Sequence, residues 1–165
     1  MGVPDCVMAI IKFKGLDEYV RKLESLSSYT DVLIGEAVYE GAEIVANETK
    51  EALQSLQVDN RQRVPQRTSI NQKQKNGLLE SFGIAKLRKD NNFFNVKTGF
   101  DGYNDIVTDR WPSGQPNVMI ARSLESGTSF MPKNPIISRA TRRAKKKCEE
   151  AMQKSIERNI KKITG

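Results

Sequence analysis

Asn117-Val118-Met119-Ile120-Ala121-Arg122-Ser123-Leu124-Glu125-Ser126-Gly127-Thr128, a short Pro-containing turn, and then Asn134-Pro135 open the stretch that decides the fold. Beyond Pro135 one long helical pattern is predicted to run to the end of the chain. Asn134 can cap the first free N–H groups, and Pro135 suits the first helical position. Ile137, Ala140, Ala144, Cys148, Met152, Ile156, Ile160 and Ile163 recur at steps of three and four. They form one face of a helix of about 28 residues, roughly 42 Å long. The Ala and Cys positions predict a close approach to a neighbouring element. Upstream, Gly127 is placed to end the Asn117 helix with positive φ, Thr128 to bond locally, and Glu125 to hold a neighbouring backbone or basic group.

The opposite face of the long helix is basic: Arg139, Arg142, Arg143, Lys145, Lys146 and Lys147. The net charge is +7, and Arg139–Lys162 holds ten Lys/Arg against three acids, leaving 17 of each elsewhere. The helix therefore carries the whole excess. Such a face fits nucleic acid, an acidic protein partner or solvent.

The 165 residues predict a single domain over 1–165, and 38% hydrophobic content implies a modest core. The longest apolar run, Val7–Ile11, is far too short to span a membrane, and Met1–Asp5 lacks a basic, signal-like start. The expectation is a protein without a membrane partner that stays in the cytoplasm where it is made. There is no histidine, which excludes Ser-His-Asp and Cys-His catalysis and most zinc sites. Cys6 and Cys148 read as small core residues of a reducing compartment.

Earlier in the chain, Val7–Phe13 reads as a first strand. A helix from Leu16 to Leu26 follows, then a connector, Ser27–Thr30, with Thr30 as cap. A second helix runs from Asp31 to about Leu56, with Ile34, Val38, Ala42, Val45, Thr49, Ala52 and Leu56 on its inner stripe. The stretch 57–75 is polar, with Pro65, Arg61, Arg63, Arg67, Lys73 and Lys75 against the single Asp59, and reads as a mobile loop. A short helical turn at Asn76–Phe82 leads to a hairpin, with strands Ile84–Lys89 and Phe93–Phe100 about an Asp90-Asn91-Asn92 turn. The class is α+β: a small, mainly antiparallel sheet (the N-terminal strand plus the hairpin) packed on long helices, including the basic C-terminal one.

Catalytic readings are thin. Asp101, Asp105 and Asp109 recur every four residues, but Gly102, Pro112 and Gly114 oppose a helix, and the spacing departs from an EF-hand loop. They read as solvated loop acids. No P-loop is present, no cofactor is expected, and the chain reads as a non-enzyme.

Ala121, Leu124, Glu125, Gly127, Thr128, Pro132, Pro135 and Ala140 resemble the closing signature of a phage tail-component family, in which an A…E-x-G-T segment precedes a Pro-containing turn and a long helix. Pro65, Thr68, Gly77, Leu78 and Ser81 resemble its P-x-x-T-G-x-L-x-x-S segment, with an insertion between Thr68 and Gly77. Ser126, Ile136 and Arg139 stand where the family has an aromatic, Phe and Pro. The resemblance implies a structural virion protein for tail completion or head–tail joining. Glu125, Gly127, Thr128, Pro135 and Ala140 would be architectural. The implied partners are a tail terminator, tail tube or head connector, with copies forming a homo-hexameric ring in the virion after assembly in the host cytoplasm. Arg61, Arg63, Arg67 and the Arg139–Lys147 cluster are the candidate contacts with partners or phosphates. A nucleic-acid-binding accessory protein is the alternative.

Overall fold

The computed structural model describes residues 16–61, 66–90 and 93–164. Four helices and four short strands follow in order: α1 (Leu16–Ser55), α2 (Gln72–Ser81), β1 (Phe82–Ile84), β2 (Arg88–Asp90), β3 (Phe93–Asn95), β4 (Thr98–Phe100), α3 (Asn117–Ser126) and α4 (Ile136–Thr164). The class is α+β. The strand expected at Val7–Phe13 lies outside the described residues, and every described strand is central in the chain.

The two helices expected before residue 56 are one helix of 40 residues. The predicted connector contains no proline, and two of its hydroxyls are satisfied within the helix. Ser28 Oγ donates to the Ser25 carbonyl at 2.9 Å, and Thr30 Oγ1 to the Leu26 carbonyl at 2.7 Å. Thr30 is thus a back-bonded interior residue and no cap.

The most extensive contact in the fold is α1 against α4. Pairs run in opposite sequence directions: Lys147 with Glu48, Arg158 with Glu40, and Asn159 Nδ2 donating to Glu36 Oε2 at 2.7 Å. The helices are therefore antiparallel. Most of their buried positions are small: Ala37, Ala46, Thr49 and Ala52 on α1, Ala140, Ala144 and Ser155 on α4. Gly41 shows how close the approach is. A Cβ there would stand 2.7 Å from Met152 Cγ and 3.0 Å from Cys148 Sγ. The predicted α4 stripe holds at Ala140 and Ala144, both fully buried, and at Cys148 and Met152 against Gly41, and then drifts. Ser155 and Asn159 are buried further along, whereas Ile160 is 38% exposed. A straight helix repeats every 3.6 residues, so steps of four rotate gradually off the seam.

The apolar core sits where the C-terminal part of α1 meets α2 and α3. Leu53, Leu56, Ile70, Leu78, Ile120, Ala121, Leu124 and Met131 are buried together, with Phe100, Ile136 and Ile137 against them. Ile70 belongs to the stretch expected to be too polar for burial, and Gln72–Lys75 form the first turn of α2. The predicted loop therefore ends at Asn71. Asn71 and Gln74 form a reciprocal capping box, which starts α2 four residues earlier than expected. Lys75 Nζ donates to the Gln54 and Leu56 carbonyls, satisfying the end of α1.

The hairpin is divided in two. β1 pairs with β4 in the register Phe82↔Phe100, and β2 with β3 in the register Arg88↔Asn95. Three residues (85–87) face two (96–97), so the two registers differ by one, as a bulge requires. Residues 91–92 of the expected turn lie outside the described residues.

Packing at the α1–α4 seam leaves little room for larger side chains. Ala144→Leu is expected to cost about 1–3 kcal/mol through overpacking. Lys145→Leu on the exposed face should change stability by no more than about 0.5 kcal/mol. Urea unfolding of both variants checks this, and equal midpoints would refute the assignment of the seam.

Candidate functional site

The predicted signature builds a corner between α3 and α4. Glu125, on the last turn of α3, turns its carboxylate onto the start of α4. Oε1 accepts from the Ile137 N–H at 2.6 Å, and Oε2 from the Ser138 N–H at 3.3 Å and from the Ser138 hydroxyl. The first N–H groups of a helix lack partners and carry partial positive charge, so a carboxylate there both bonds and neutralises. This corrects the role expected of Asn134. Its side chain accepts from the Arg139 guanidinium instead, and the cap comes from the preceding helix.

Between the helices the chain reverses tightly. Gly127 has φ +75° and ψ 172°, an extended positive-φ conformation almost confined to glycine, not the left-handed helical one. A Cβ at Gly127 would also lie 2.8 Å from the Lys133 nitrogen. Thr128 and Met131 exchange backbone hydrogen bonds at 2.8 and 3.3 Å, and Thr128 Oγ1 accepts from the Phe130 N–H at 3.2 Å. Pro135 directly precedes α4, its carbonyl accepting from the Arg139 N–H at 3.1 Å. Ala140 lies fully buried in the seam.

The candidate cations divide into three groups. Lys147 is paired with Glu48, whose carboxyl is held below its usual value chiefly by the hydrogen bond from Lys147. Lys145 and Lys146 point outward, each 3.9 Å from an acid one turn on, Glu149 and Glu150. Arg139, Arg142 and Arg143 line one cleft of about 420 Å³ with Ala52, Ser55 and Ile136. An adjoining cleft of about 390 Å³ shares Arg139, Ser55 and Ile136 and is walled by Thr68 and Ser69. Residues 57–58 and 68–69 and the start of α4, far apart in sequence, thus flank a common concavity.

Asp59 organises that stretch, and the sequence marked it only as a lone acid among cations. Its carboxylate is buried and accepts from Arg61 Nε and Nη2 at 2.8 and 2.6 Å and from the Thr68 N–H at 2.8 Å. The Arg61 guanidinium, then the Thr68 amide, hold its carboxyl far below the usual range. Arg61 is thereby engaged within the chain, and the Arg67 N–H donates to the Phe130 carbonyl at 2.8 Å. Arg63 lies outside the described residues.

Asp101 and Asp105 lie on a polar cleft of about 570 Å³, and Asp109 does not. Among the described residues no three His, Cys, Asp or Glu side chains are grouped to hold a metal ion. Asn104 and Asn117 organise this region from within. Asn104 Oδ1 accepts from the Ile106 and Gln115 N–H groups at 2.9 and 3.2 Å, and Asn117 Nδ2 donates to the Asp101 carbonyl at 3.0 Å. The Cys148 thiol is pushed up by partial burial beside the seam.

On the side of α1 near the hairpin, Val32, Gly35, Tyr39 and Leu87 line a groove of about 580 Å³ with Asp31, Glu36, Glu40 and Glu43 around it. Tyr29 and Val32 are each 54% exposed and Phe93 77%. The inner stripe read from the sequence, with Ile34 and Val38, gave no sign of this outer face.

Two measurements test the polar anchors. Glu125→Ala should cost about 1–2 kcal/mol in urea unfolding, as the loss of a helix cap does, and Glu125→Gln less, because one acceptor oxygen remains. A depressed folded-state pKa at Asp59 stabilises the fold above the unfolded carboxyl value. That contribution is lost as pH falls below about 4 toward the lower folded value. Asp59→Asn should therefore melt below the parent at neutral pH, with the difference shrinking as the pH is lowered toward about 2. A constant difference over that range would refute the role.

Compared with family models, curated proteins and solved structures, the chain matches none.

Proposed function

We propose that this chain is a structural subunit of a phage or prophage tail, acting at the head–tail junction. Its partners are other copies of itself in a hexameric ring and the neighbouring terminator, tube or connector proteins. The reading begins from the resemblance of the Glu125–Ala140 segment. The observation that carries it further is the outer surface of α1 and the hairpin. There Val32, Tyr39 and Leu87 are exposed around a groove edged by carboxylates. Large apolar side chains gathered beside charge suit a subunit contact. The Glu125-capped corner supplies a rigid frame for it, since both long helices are pinned at the end where the core lies.

A nucleic-acid-binding accessory role is the second reading, favoured by the convergence of Arg139, Arg142 and Arg143 on one cleft.

Electron microscopy of a phage or induced prophage made without this protein tests the first reading. Separated full heads and tails should accumulate, and supplying the protein should restore joined particles. Joined, infectious virions at the parental level in its absence would overturn the proposal.

A further inference from the structure

We propose that the concavity at the start of α4 binds the phosphodiester backbone of nucleic acid, with Arg139, Arg142 and Arg143 as its phosphate contacts. This site rests on the second reading and not on the tail role. The three arginines stand at i, i+3 and i+4, which places them on one helical face, and all three line the same cleft. Its opposite wall is the end of α1, where the Ser55 hydroxyl donates to the Ala52 carbonyl at 2.8 Å. The adjoining cleft is walled by Thr68, whose hydroxyl donates to Asp59 Oδ2 at 3.1 Å, and by Ser69, whose hydroxyl is fully buried without a hydrogen-bond partner. No carboxylate lines either cleft.

Three of the nearby acids are engaged elsewhere, and the charge of Glu51, beside Ala52 on α1, acts on Lys147. Glu125 is turned onto the first N–H groups of α4, Asp59 is bound by Arg61 and Thr68, and Glu48 is bound by Lys147. The helix terminus is thus already neutralised inside the chain, while Arg142 and Arg143, with Arg139 donating to the neutral Asn134 side chain, line the cleft.

Guanidinium groups match phosphate oxygens by paired N–H donors, and three in one concavity exceed what a single carboxylate uses. The exposed cations continue beyond the cleft to Lys145 and Lys146. From Arg139 to Lys146 the helix rises about 10 Å. A nucleic-acid strand presents charge repeatedly over that distance, whereas an isolated phosphate meets only one end of the run. No aromatic side chain interleaves the cations, so the contact is to the backbone and independent of base sequence.

Fluorescence anisotropy of the full chain with a labelled duplex of about 20 base pairs, over a salt series, tests this. Binding should be non-specific, with a Kd on the order of 1–100 μM at physiological salt, and log K should fall with log salt with a slope of about −3. Replacing all three (Arg139→Gln, Arg142→Gln, Arg143→Gln) should weaken binding at low salt at least tenfold and flatten most of the slope. Lys161→Gln with Lys162→Gln, at the far end of α4, should weaken it less than twofold. Should the triple variant melt early, Arg142→Gln alone, whose side chain makes no hydrogen bond among the described residues, should reduce the slope by about one.

Absence of duplex binding, or equal losses from the two ends of α4, would overturn the site. Poly-glutamate binding as tightly as duplex of equal charge would also overturn it, in favour of an acidic protein partner. Because the measurement uses the isolated chain, its failure leaves the head–tail reading standing, and joined virions without the protein leave this site standing.

Discussion

The close approach of α1 and α4 is the constraint on which the rest of the structure depends. It is possible because Gly41 leaves room for Met152 and Cys148, and because Ala37, Ala52, Ala140 and Ala144 are the small residues buried along the two helices. Small residues provide little hydrophobic burial each, so the seam is held by continuous van der Waals contact along two long helices. Polar groups complete it where the apolar stripe rotates away. Asn159 reaches Glu36, and Arg158 and Lys147 reach Glu40 and Glu48. Two of the basic residues of α4, Lys147 and Arg158, thereby meet acids of α1, while Arg139, Arg142 and Arg143 gather near its N-terminal end.

A long helix pair needs a fixed end, and the corner around Glu125 supplies it. Leu124 is fully buried in the core while the next residue caps α4, so one turn of α3 ties the core to the start of the seam. Gly127 permits the reversal between them in a conformation other residues resist. Asp59 performs a parallel task on the other side of the concavity, gathering Arg61 and Thr68 close to Ile70, which is buried in the core.

These anchors give the molecule two chemically different faces. One is apolar and acidic, on the outer side of α1 and the hairpin. The other is cationic, at the junction of α4 with the 57–70 stretch. A subunit that joins protein neighbours while lying near packaged nucleic acid would use both, one by apolar burial and the other by counterion release. The two contacts have opposite salt dependence in their leading contributions, which makes them separable in solution.

Local pattern alone determined the helices at both ends of the chain, the α+β class, the termination at Gly127 and the small-residue character of the α4 seam. Each follows from spacing, or from backbone chemistry within a few residues. The union of the two expected N-terminal helices was not legible, because a Ser/Thr-rich connector and a back-bonded helical segment have the same composition. The start of α2 at Gln72 was hidden by its polarity, since the capping box declares itself only once Asn71 and Gln74 are seen to bond. Only the tertiary structure decided that Glu125 caps α4, that Asp59 organises the stretch beside it, and that three arginines share a concavity with Ser55 and the neighbourhood of Ser69. Those relations join residues between nine and about ninety positions apart. Their existence depends on how the antiparallel helices bring distant backbone together, and no periodicity along the chain encodes that.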